Sequence, residues 1–455
     1  MKFKLLWISM FIVCIVFIFL EVKNTTSRNV VVSVDEVISP EKMLEDFEFI
    51  TESILSIHPD PLRNFEGDWE IEVNRIKESL VDPLSVGEFL LRVQKFVSKV
   101  GDAHTLVTFG ESIEYNMLPI FFEWVEEELV VKRSYLSGIH VGDRVEKIGD
   151  KEVSFIKKEL GKFASAENEF WRQQTVLQFI MVETYLRFLN VVNEEQISLT
   201  LIGQGGESRV VEVDLYSREH ILEKIKKGES FTWFGWEIFE EEQVGYFYLK
   251  ECMVSEEYEL SVTEFFERVT EAKIDKIILD LRDNGGGDSR VIYPFLQHFP
   301  PRFIKQFASV EVKFSEEAKV QRGYDREYGK ERDTQSMHDN IRKEPTFKGE
   351  LFVLVNNGTF SSASMFATML HDNHLGEIIG EPTGGAPSAF GDLIVLDVPN
   401  SSLLLAVSHK EFLRPKEDSP NENTLHPNIL IEKTIEDVHT HQDKYLQRVR
   451  KAVSN

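Results

Sequence analysis

A serine between a strand-like run and a helical pattern is the first candidate for chemistry in this sequence. The run LFVLVN ends at Asn356, a helical pattern begins at Ser362, and Ser361 stands between them. A serine at such a turn can point its hydroxyl into a cleft, and the N-terminal amides of the helix favour developing negative charge. Ser361 is therefore a candidate nucleophile for acyl transfer, although the same position also suits a serine that only caps the helix.

Three consecutive glycines follow a second buried-strand pattern. The stretch KIILDLRDNGGGD, Lys276 to Asp288, runs from apolar residues directly into Gly285, Gly286 and Gly287. Glycine has no Cβ, so it can adopt positive φ and leave its N–H open to a substrate carbonyl. The stretch predicts a site for an oxyanion or, as the alternative, only a tight turn after a central strand.

A histidine in a short connection is the candidate general base. His104 lies in GDAHT, between a helix that ends at Gly101 and the strand-like LVTF. Functional residues concentrate in such connections, and Asp102 and Thr105 beside the histidine could orient its imidazole. The alternative is a structural or merely solvated histidine.

The order of three stretches resembles the tail-specific, or C-terminal-processing, family of serine peptidases. The stretches are LDLRDNGGG, VNNGTFSSAS and GEPTGGAPSAFGD, and the resemblance runs from about Asp46 to the end of the chain. It implies that Ser361 is the nucleophile, with Ser362 as the remaining ambiguity. It also implies an oxyanion region formed by Gly286, Gly287 and Ser362.

One departure from the family pattern indicates the mechanism. The processing branch uses a lysine base in a loop where this sequence has Ala386, so a serine–lysine dyad is not available. The sequence instead resembles the tricorn and retinoid-binding-protein-like branch, in which a histidine of an aspartate-x-histidine motif is the base. That likeness assigns the base to His104 and a supporting carboxylate to Glu422. His104 would take the proton of Ser361 while Glu422 holds the imidazole in the right tautomer.

The elements that position these residues divide the chain into a predicted helical segment, a β module and an α/β core. Residues 41–115 show helical spacing, interrupted by HPDP at His58 to Pro61, and Ser85 with Glu88 predicts a capping box. Residues 116–230 show short strands with glycine turns and then a helical stretch. Within them, Gly138 to Val153 resembles the PDZ pattern, which implies peptide binding by strand addition.

Residues 231–455 alternate regularly between strands and helices. Such alternation requires crossover connections and predicts a mainly parallel sheet, which we identify as an α/β core similar to the crotonase and ClpP folds. A charged insertion over 315–348 interrupts the alternation and is predicted to be a solvated excursion or a lid.

The composition limits the classes of partner that the protein is expected to bind. The 455 residues carry 51 basic and 77 acidic side chains, a net charge of −26, so the protein repels phosphate backbones and nucleic acid is excluded as a partner. The two cysteines form no metal-binding pair, and the histidines near the end of the chain do not form an HExxH motif. We therefore expect no metal and no cofactor, and a peptide or protein as the substrate.

The N-terminus predicts a membrane anchor. Lys2 and Lys4 precede the apolar run LLWISMFIVCIVFIFL, and no small-residue cleavage site follows it. The interpretation is a single-pass membrane protein with its anchor in residues 1–23, a linker in residues 24–40 and an extracytoplasmic catalytic part.

Three functions remain open from the sequence. The first is an anchored serine peptidase that uses Ser361 and His104. The second is a non-catalytic protein that binds peptides or small ligands on the same scaffold. The third is an acyl-transfer or hydrolytic enzyme of the crotonase type, for which no adenine-nucleotide signature is present in the sequence.

Overall fold

The computed structural model describes residues 31–228, 232–334, 336–416, 422–438 and 443–454. The chain divides into two compact units. The first unit comprises Met1–Glu229, Val312–Glu331 and Phe390–Lys410, and the second comprises Ser230–Glu311, Arg332–Ala389 and Glu411–Asn455. The boundaries predicted from the sequence, 24–40, 41–115, 116–230 and 231–455, are not tested by this division and stay a prediction.

Thirteen α-helices lie in the described residues. They are α1 Pro40–Ile57, α2 Trp69–Ser79, α3 Val86–Val97, α4 Val153–Leu160, α5 Glu169–Met181, α6 Glu183–Phe188, α7 Arg218–Gly228, α8 Glu256–Glu271, α9 Ile292–Leu296, α10 Glu316–Arg322, α11 Ser362–Asp372, α12 Ile435–Val438 and α13 Lys444–Ser454. Short 3₁₀ turns cover Ser98–Val100, Gly161–Phe163 and Ser289–Val291.

The strands alternate with these helices along the chain. They are β1 Val32–Ser33, β2 Val37–Ile38, β3 Leu84–Ser85, β4 Leu106–Phe109, β5 Ile113–Glu114, β6 Asn116–Met117, β7 Ile120–Val125, β8 Glu128–Ser134, β9 Arg144–Ile148, β10 Lys151–Glu152, β11 Gln196–Ile202, β12 Ser208–Asp214, β13 Tyr216–Ser217, β14 Phe234–Phe239, β15 Val244–Leu249, β16 Lys276–Asp280, β17 Phe303–Lys305, β18 Ser309–Lys313, β19 Lys330–Asp333, β20 Met337–Asp339, β21 Glu350–Val355, β22 Glu377–Gly380, β23 Ala389–Asp397, β24 Leu403–Leu413 and β25 Ile429–Leu430.

The helices of the first unit follow their sequence signals. Helix α1 ends at Ile57, directly before the HPDP turn, because proline cannot continue a helix. Helix α3 begins with the predicted capping box, in which Ser85 and Glu88 exchange side-chain and backbone hydrogen bonds. The chain then reverses at Gly101, whose φ of 69° lies in the left-handed region that glycine tolerates. The end of α1 at Ile57 and the left-handed residue Gly101 determine where His58 and the GDAHT turn lie along the chain.

Two larger sheets, besides three two-stranded ones, contribute to the first unit. One is antiparallel, in the order β12-β11-β9-β8-β7, and covers the segment that resembles a PDZ pattern. In the other, β24 pairs antiparallel with β4, so that Leu403–Ala406 lies beside Leu106–Phe109. This second pairing brings the first residues of β24 beside the strand that follows GDAHT.

The second unit is built on a six-stranded sheet in the order β14-β15-β16-β21-β22-β25. Strands β15, β16, β21, β22 and β25 are parallel, and only the edge strand β14 is antiparallel to its neighbour. The predicted mainly parallel sheet is therefore confirmed, and the protein has a mixed α/β fold. Because carboxyl ends of parallel strands share one edge of a sheet, the segments after β16 and β21 emerge together.

The prediction of a single-pass membrane protein is wrong. No helix among the described residues is long and apolar enough to cross a membrane, which overturns the predicted membrane localisation. The longest described helix is α1, whose 18 residues include Glu41, Lys42 and Glu45 and which buries only one face. The predicted anchor, residues 1–23, lies outside the described residues.

Part of the charged insertion over 315–348 is ordered secondary structure. Ser315 caps α10 by accepting a hydrogen bond from the N–H of Ala318, and the side chain of Ala318 is fully buried in the core of the first unit. The insertion therefore contributes to a folded unit as well as to the surface.

Candidate active site

The glycine stretch is held in place by a buried asparagine. Asn284 follows β16, is fully buried, and donates from Nδ2 to the carbonyl of Leu249 at 3.0 Å. Its Oδ1 accepts the N–H of Gly286 at 2.9 Å, and its carbonyl accepts the N–H of Phe360 at 2.9 Å. Asn284 thus links β15 and the glycine turn through its side chain, and the segment that leads to Ser361 through its carbonyl.

Glycine is required at two positions of this turn. Gly286 has a φ of +99°, and a Cβ there would meet Cβ of Ser361 at 2.7 Å and N of Ser362 at 2.9 Å. Gly287 has a φ of +128°, and its Cβ would meet the carbonyl oxygen of Cys252 at 2.3 Å. Both the backbone conformation and the space exclude larger residues, so the turn lies directly against the candidate nucleophile.

The N–H groups of Gly286 and Gly287 differ in whether they can donate to an oxyanion. The N–H of Gly286 already donates to Asn284 within the turn. Among the described residues, no backbone or side-chain oxygen accepts the N–H of Gly287. Of the two glycines predicted for the oxyanion region, Gly287 is therefore the one with a donor to offer.

Ser361 adopts a strained backbone conformation. Its φ of 51° and ψ of −125° are rare for a residue with a side chain, and such strain costs on the order of 1–3 kcal/mol. It precedes α11, but its side chain makes no capping hydrogen bond. The alternative in which Ser361 serves only as a helix cap therefore lacks its defining contact, while the strained turn is the geometry that presents a serine hydroxyl above a sheet.

The neighbouring serines have structural contacts. Ser362 Oγ donates to the carbonyl of Gly287 at 2.6 Å, which joins the start of α11 to the glycine turn. Ser364 Oγ is buried and donates to the carbonyl of Thr359 at 2.9 Å. Both hydroxyls are thus bonded to backbone carbonyls.

In this protein, threonine hydroxyls donate hydrogen bonds to carbonyls of the loop in which the processing branch carries a lysine. Ala386 occupies the lysine position and is buried. Thr383 Oγ1 donates to the carbonyl of Gly385 at 2.7 Å, and Thr424 Oγ1 donates to the carbonyl of Thr383 at 2.6 Å. The loop supplies backbone and hydroxyl contacts but no amine, in agreement with the absence of a lysine base at this position.

Glu422 forms an ion pair within the second unit. Its Oε2 accepts a hydrogen bond from Nη1 of Arg414 at 2.8 Å, and Arg414 also binds Asp372 through Nε and Nη2. Arg414 is buried, whereas the side chain of Glu422 is 38% exposed. The structure thus gives this candidate carboxylate a cationic partner that sequence reasoning did not identify.

In the first unit, His104 is buried beside an ionised aspartate. Its side chain is only 12% exposed, and Nδ1 lies 3.9 Å from Oδ1 of Asp102. Burial lowers the pKa of His104 below its ordinary value, and the negative charge of Asp102 opposes this shift in part. The imidazole is therefore neutral at neutral pH, which is the form that can accept a proton.

Asp102 collects hydrogen bonds from several parts of the first unit. Oδ1 accepts the backbone N–H of His104 at 3.0 Å, while Oδ2 accepts Thr105 Oγ1, Ser408 Oγ and His58 Nε2 at 2.5, 2.7 and 3.2 Å. Burial would raise the pKa of Asp102, but its interactions with His58 first, and then with His104 and Thr105, lower it below its ordinary value. The GDAHT turn is thus built around a fixed negative charge.

A second carboxyl group lies in this cluster. One ligand atom from each of Asp102, His104 and Glu167 falls within 4.8 Å of the others, a grouping that could hold a cation. Burial first, and then the charge of Asp102, raises the pKa of Glu167 to about 8. At neutral pH the protonated Glu167 therefore adds no second negative charge beside Asp102.

Replacing Glu167 by glutamine is expected to stabilise the protein more at pH 8 than at pH 5. The pKa of Glu167 is raised from 4.5 to about 8, so its contribution to stability is complete below pH 4.5 and is lost as pH rises through 8. Glutamine resembles the protonated form and removes this loss. Thermal unfolding at both pH values measures the difference. Glu169→Gln, at a side chain that is 60% exposed, is the control; an equal gain at pH 5 and pH 8 would contradict the prediction.

Sequence reasoning named Ser361, the glycines and His104, with Asp102 and Thr105 beside it, as candidates. It did not name His58, Glu167 and Ser408, which complete the surroundings of the histidine. Ser408 and Glu167 carry no local signal, because they reach Asp102 only through the fold. His58 did have a signal, since it stands in a short connection directly after a helix, as His104 does.

Comparisons with known proteins add the following. Residues 243–431 match the model of a family described as peptidase family S41. No match was found among curated protein sequences. A crystal structure of a CPAF point mutant is similar with 15% identity and a TM-score of 0.69, covering 91% of this chain and 97% of that one. Mature CPAF is similar with 15% identity and a TM-score of 0.67, covering 91% and 96%.

These comparisons differ in what they establish. The structural likeness has a low sequence identity and shows that the fold is shared. The family match covers β15 through β25, which includes the glycine turn, Ser361 and Glu422. The region that contains His104 lies outside the matched residues.

Proposed function

We propose that this protein is a serine peptidase that cleaves peptide bonds with Ser361 as nucleophile and His104 as general base. The premise is that residues 243–431 place this chain in peptidase family S41. The family assignment confirms the resemblance to tail-specific peptidases and makes the protein a hydrolase. The identities of the nucleophile, the base and the oxyanion donors are our proposal.

The observation that carries the proposal is the conformation of Ser361. Ser361, with φ of 51° and ψ of −125°, has a strained backbone, and its side chain does not cap the helix that it precedes. Such strain is understandable if it presents Oγ to a substrate. Gly287 and Ser362 are the proposed oxyanion donors through their N–H groups, and Gly286 is the residue whose lack of a side chain leaves room for Ser361.

The environment of His104 supports its role as base. Its lowered pKa keeps the imidazole neutral, and the nearby Asp102 charge stabilises the imidazolium formed when the proton of Ser361 arrives. In the proposed sequence His104 then delivers that proton to the leaving amine. An imidazole that coordinated a cation could not accept the proton, so we assign Asp102 and Glu167 to the surroundings of the base.

The finer features of the sequence prediction remain proposals. We propose a crotonase- and ClpP-like arrangement for the core, a PDZ-like peptide-binding role for the module within 116–230, and a peptide or protein substrate. Glu422 is proposed as the third catalytic residue on the family resemblance alone, and its ion pair with Arg414 gives it a fixed orientation.

Labelling with a fluorophosphonate in the presence of EDTA tests the proposal. The probe phosphonylates activated serines, so we expect mass spectrometry of the labelled full chain to find the modification on Ser361 and not on Ser362. EDTA should leave the labelling rate unchanged, because serine–histidine chemistry needs no metal. Absence of label on the folded protein would refute the proposal in favour of a non-catalytic binding protein, and label on Ser362 would refute the assignment of the nucleophile.

Replacing Gly286 by alanine is expected to lower the labelling rate by about 10²–10³, the range for loss of an oxyanion donor. The new Cβ would meet Cβ of Ser361 at 2.7 Å and N of Ser362 at 2.9 Å, which displaces the nucleophile and a proposed donor together. The measurement is the second-order rate constant of labelling.

Gly206→Ala is the matched control for Gly286→Ala. Gly206 also has a positive φ, +85°, but a Cβ there would meet nothing within 4 Å. It therefore reproduces the backbone strain without the crowding and should label at the wild-type rate. Equal rates for the two variants would contradict the role assigned to the glycine turn.

A further inference from the structure

The HPDP turn contains a buried histidine that the proposed mechanism does not use. His58 directly follows α1, and its side chain is 1% exposed. A fully buried imidazole requires partners for its polar atoms, and here the partners lead to the candidate base. We propose that His58 is a positioning residue for His104, which it serves by fixing the orientation of the Asp102 carboxylate. The inference rests on the proposed role of His104.

The hydrogen bonds define which nitrogen of His58 carries the proton. Nδ1 accepts the backbone N–H of Asp60 at 3.0 Å, so Nδ1 has no proton of its own. The ring proton is therefore on Nε2, which lies 3.2 Å from Oδ2 of Asp102 and donates to it. The turn after α1 thus selects the tautomer that makes His58 a donor to the carboxylate.

The contact fixes one oxygen of Asp102 and leaves the other for His104. Oδ2 accepts His58, Thr105 and Ser408, while Oδ1 accepts the backbone N–H of His104 and lies 3.9 Å from its Nδ1. Rotation of the carboxylate would exchange Oδ1 and Oδ2 and break the hydrogen bonds that each oxygen accepts. Donors on Oδ2 therefore hold Oδ1 where it binds the backbone N–H of His104 and lies beside the imidazole.

His58 is itself held rigidly. Its ring packs against Phe390 with centroids 4.4 Å apart, and its carbonyl accepts a hydrogen bond from Nζ of Lys313 at 2.9 Å. The ring therefore has two separable roles, packing against Phe390 and donating to Asp102. Because the roles involve different atoms, substitutions can remove one without the other.

The test compares three variants of the full chain by their second-order rate of fluorophosphonate labelling. His58→Leu removes the donor, and we expect a loss of about 10–100-fold, as is usual for a partner that orients a functional side chain. His58→Gln carries an amide nitrogen near the position of Nε2 and should restore the rate to within a few-fold of wild type. Phe390→Leu removes the ring packing alone and should also remain within a few-fold of wild type.

The outcomes separate this inference from the proposed function. If the wild type labels and His58→Leu labels equally fast, or if His58→Gln is as slow as His58→Leu, the positioning role is refuted. If the wild type itself does not label, the proposed function fails instead. Should His58→Leu not fold, His58→Asn replaces it, because the shorter amide reaches only the position of Nδ1; the inference then requires that His58→Gln label faster than His58→Asn.

Discussion

Replacement of Ser361 by alanine is expected to abolish fluorophosphonate labelling and any peptidase activity while leaving the fold intact. The substitution removes only Oγ, and no capping hydrogen bond of α11 depends on that atom. Alanine has the same difficulty as serine at φ of 51°, so the strain of the turn is retained rather than relieved. Labelling detected by gel fluorescence, together with thermal unfolding, measures both effects.

Ser362→Ala is the matched control for this prediction. It removes a hydroxyl one residue away, whose hydrogen bond to the carbonyl of Gly287 helps to join α11 to the glycine turn. We expect a modest loss of stability, about 0.5–1.5 kcal/mol for one hydrogen bond, and retained labelling. Label that survives in Ser361→Ala but disappears in Ser362→Ala would reverse the assignment.

The second large effect is expected at His104. Glutamine cannot accept a proton, so His104→Gln should lower the labelling rate by about 10²–10⁴, the usual contribution of a positioned general base. Because burial lowers the pKa of His104 below its ordinary value of 6.5, the wild-type rate should fall on acidification only at pH values below 6.5. The rate of labelling as a function of pH measures both expectations.

An exposed histidine of the same unit provides the comparison. The side chain of His140 is 72% exposed, and His140→Gln should label at the wild-type rate with an unchanged pH profile. A His104→Gln variant that retains the wild-type rate would remove His104 from the mechanism. A wild-type midpoint above pH 6.5 would contradict the effect attributed to burial.

Local patterns predicted the elements that carry the site. The capping box at Ser85, the stop at Gly101, the strand before the glycines and the helix after Ser361 all appear as predicted, because each depends on residues within a few positions. Helix α8 shows the limit of such patterns. The alternation predicted a helix between β15 and β16 but not its start at Glu256, which Ser255 fixes by accepting the N–H of Tyr258.

The sequence by itself predicted the peptidase family that residues 243–431 match, the alternation that forms the parallel sheet, and the residue types of the proposed serine–histidine site. Only the tertiary structure decided how those residues are supported. Asp102 meets His58 across 44 positions and Ser408 across 306, distances over which no local pattern extends. Tertiary contacts also joined Asn284 to Leu249 across 35 positions, and joined Arg414, the partner of Glu422, to Asp372 across 42. Buried polar groups must find partners wherever the fold brings them, so their pairing is a property of the packed chain.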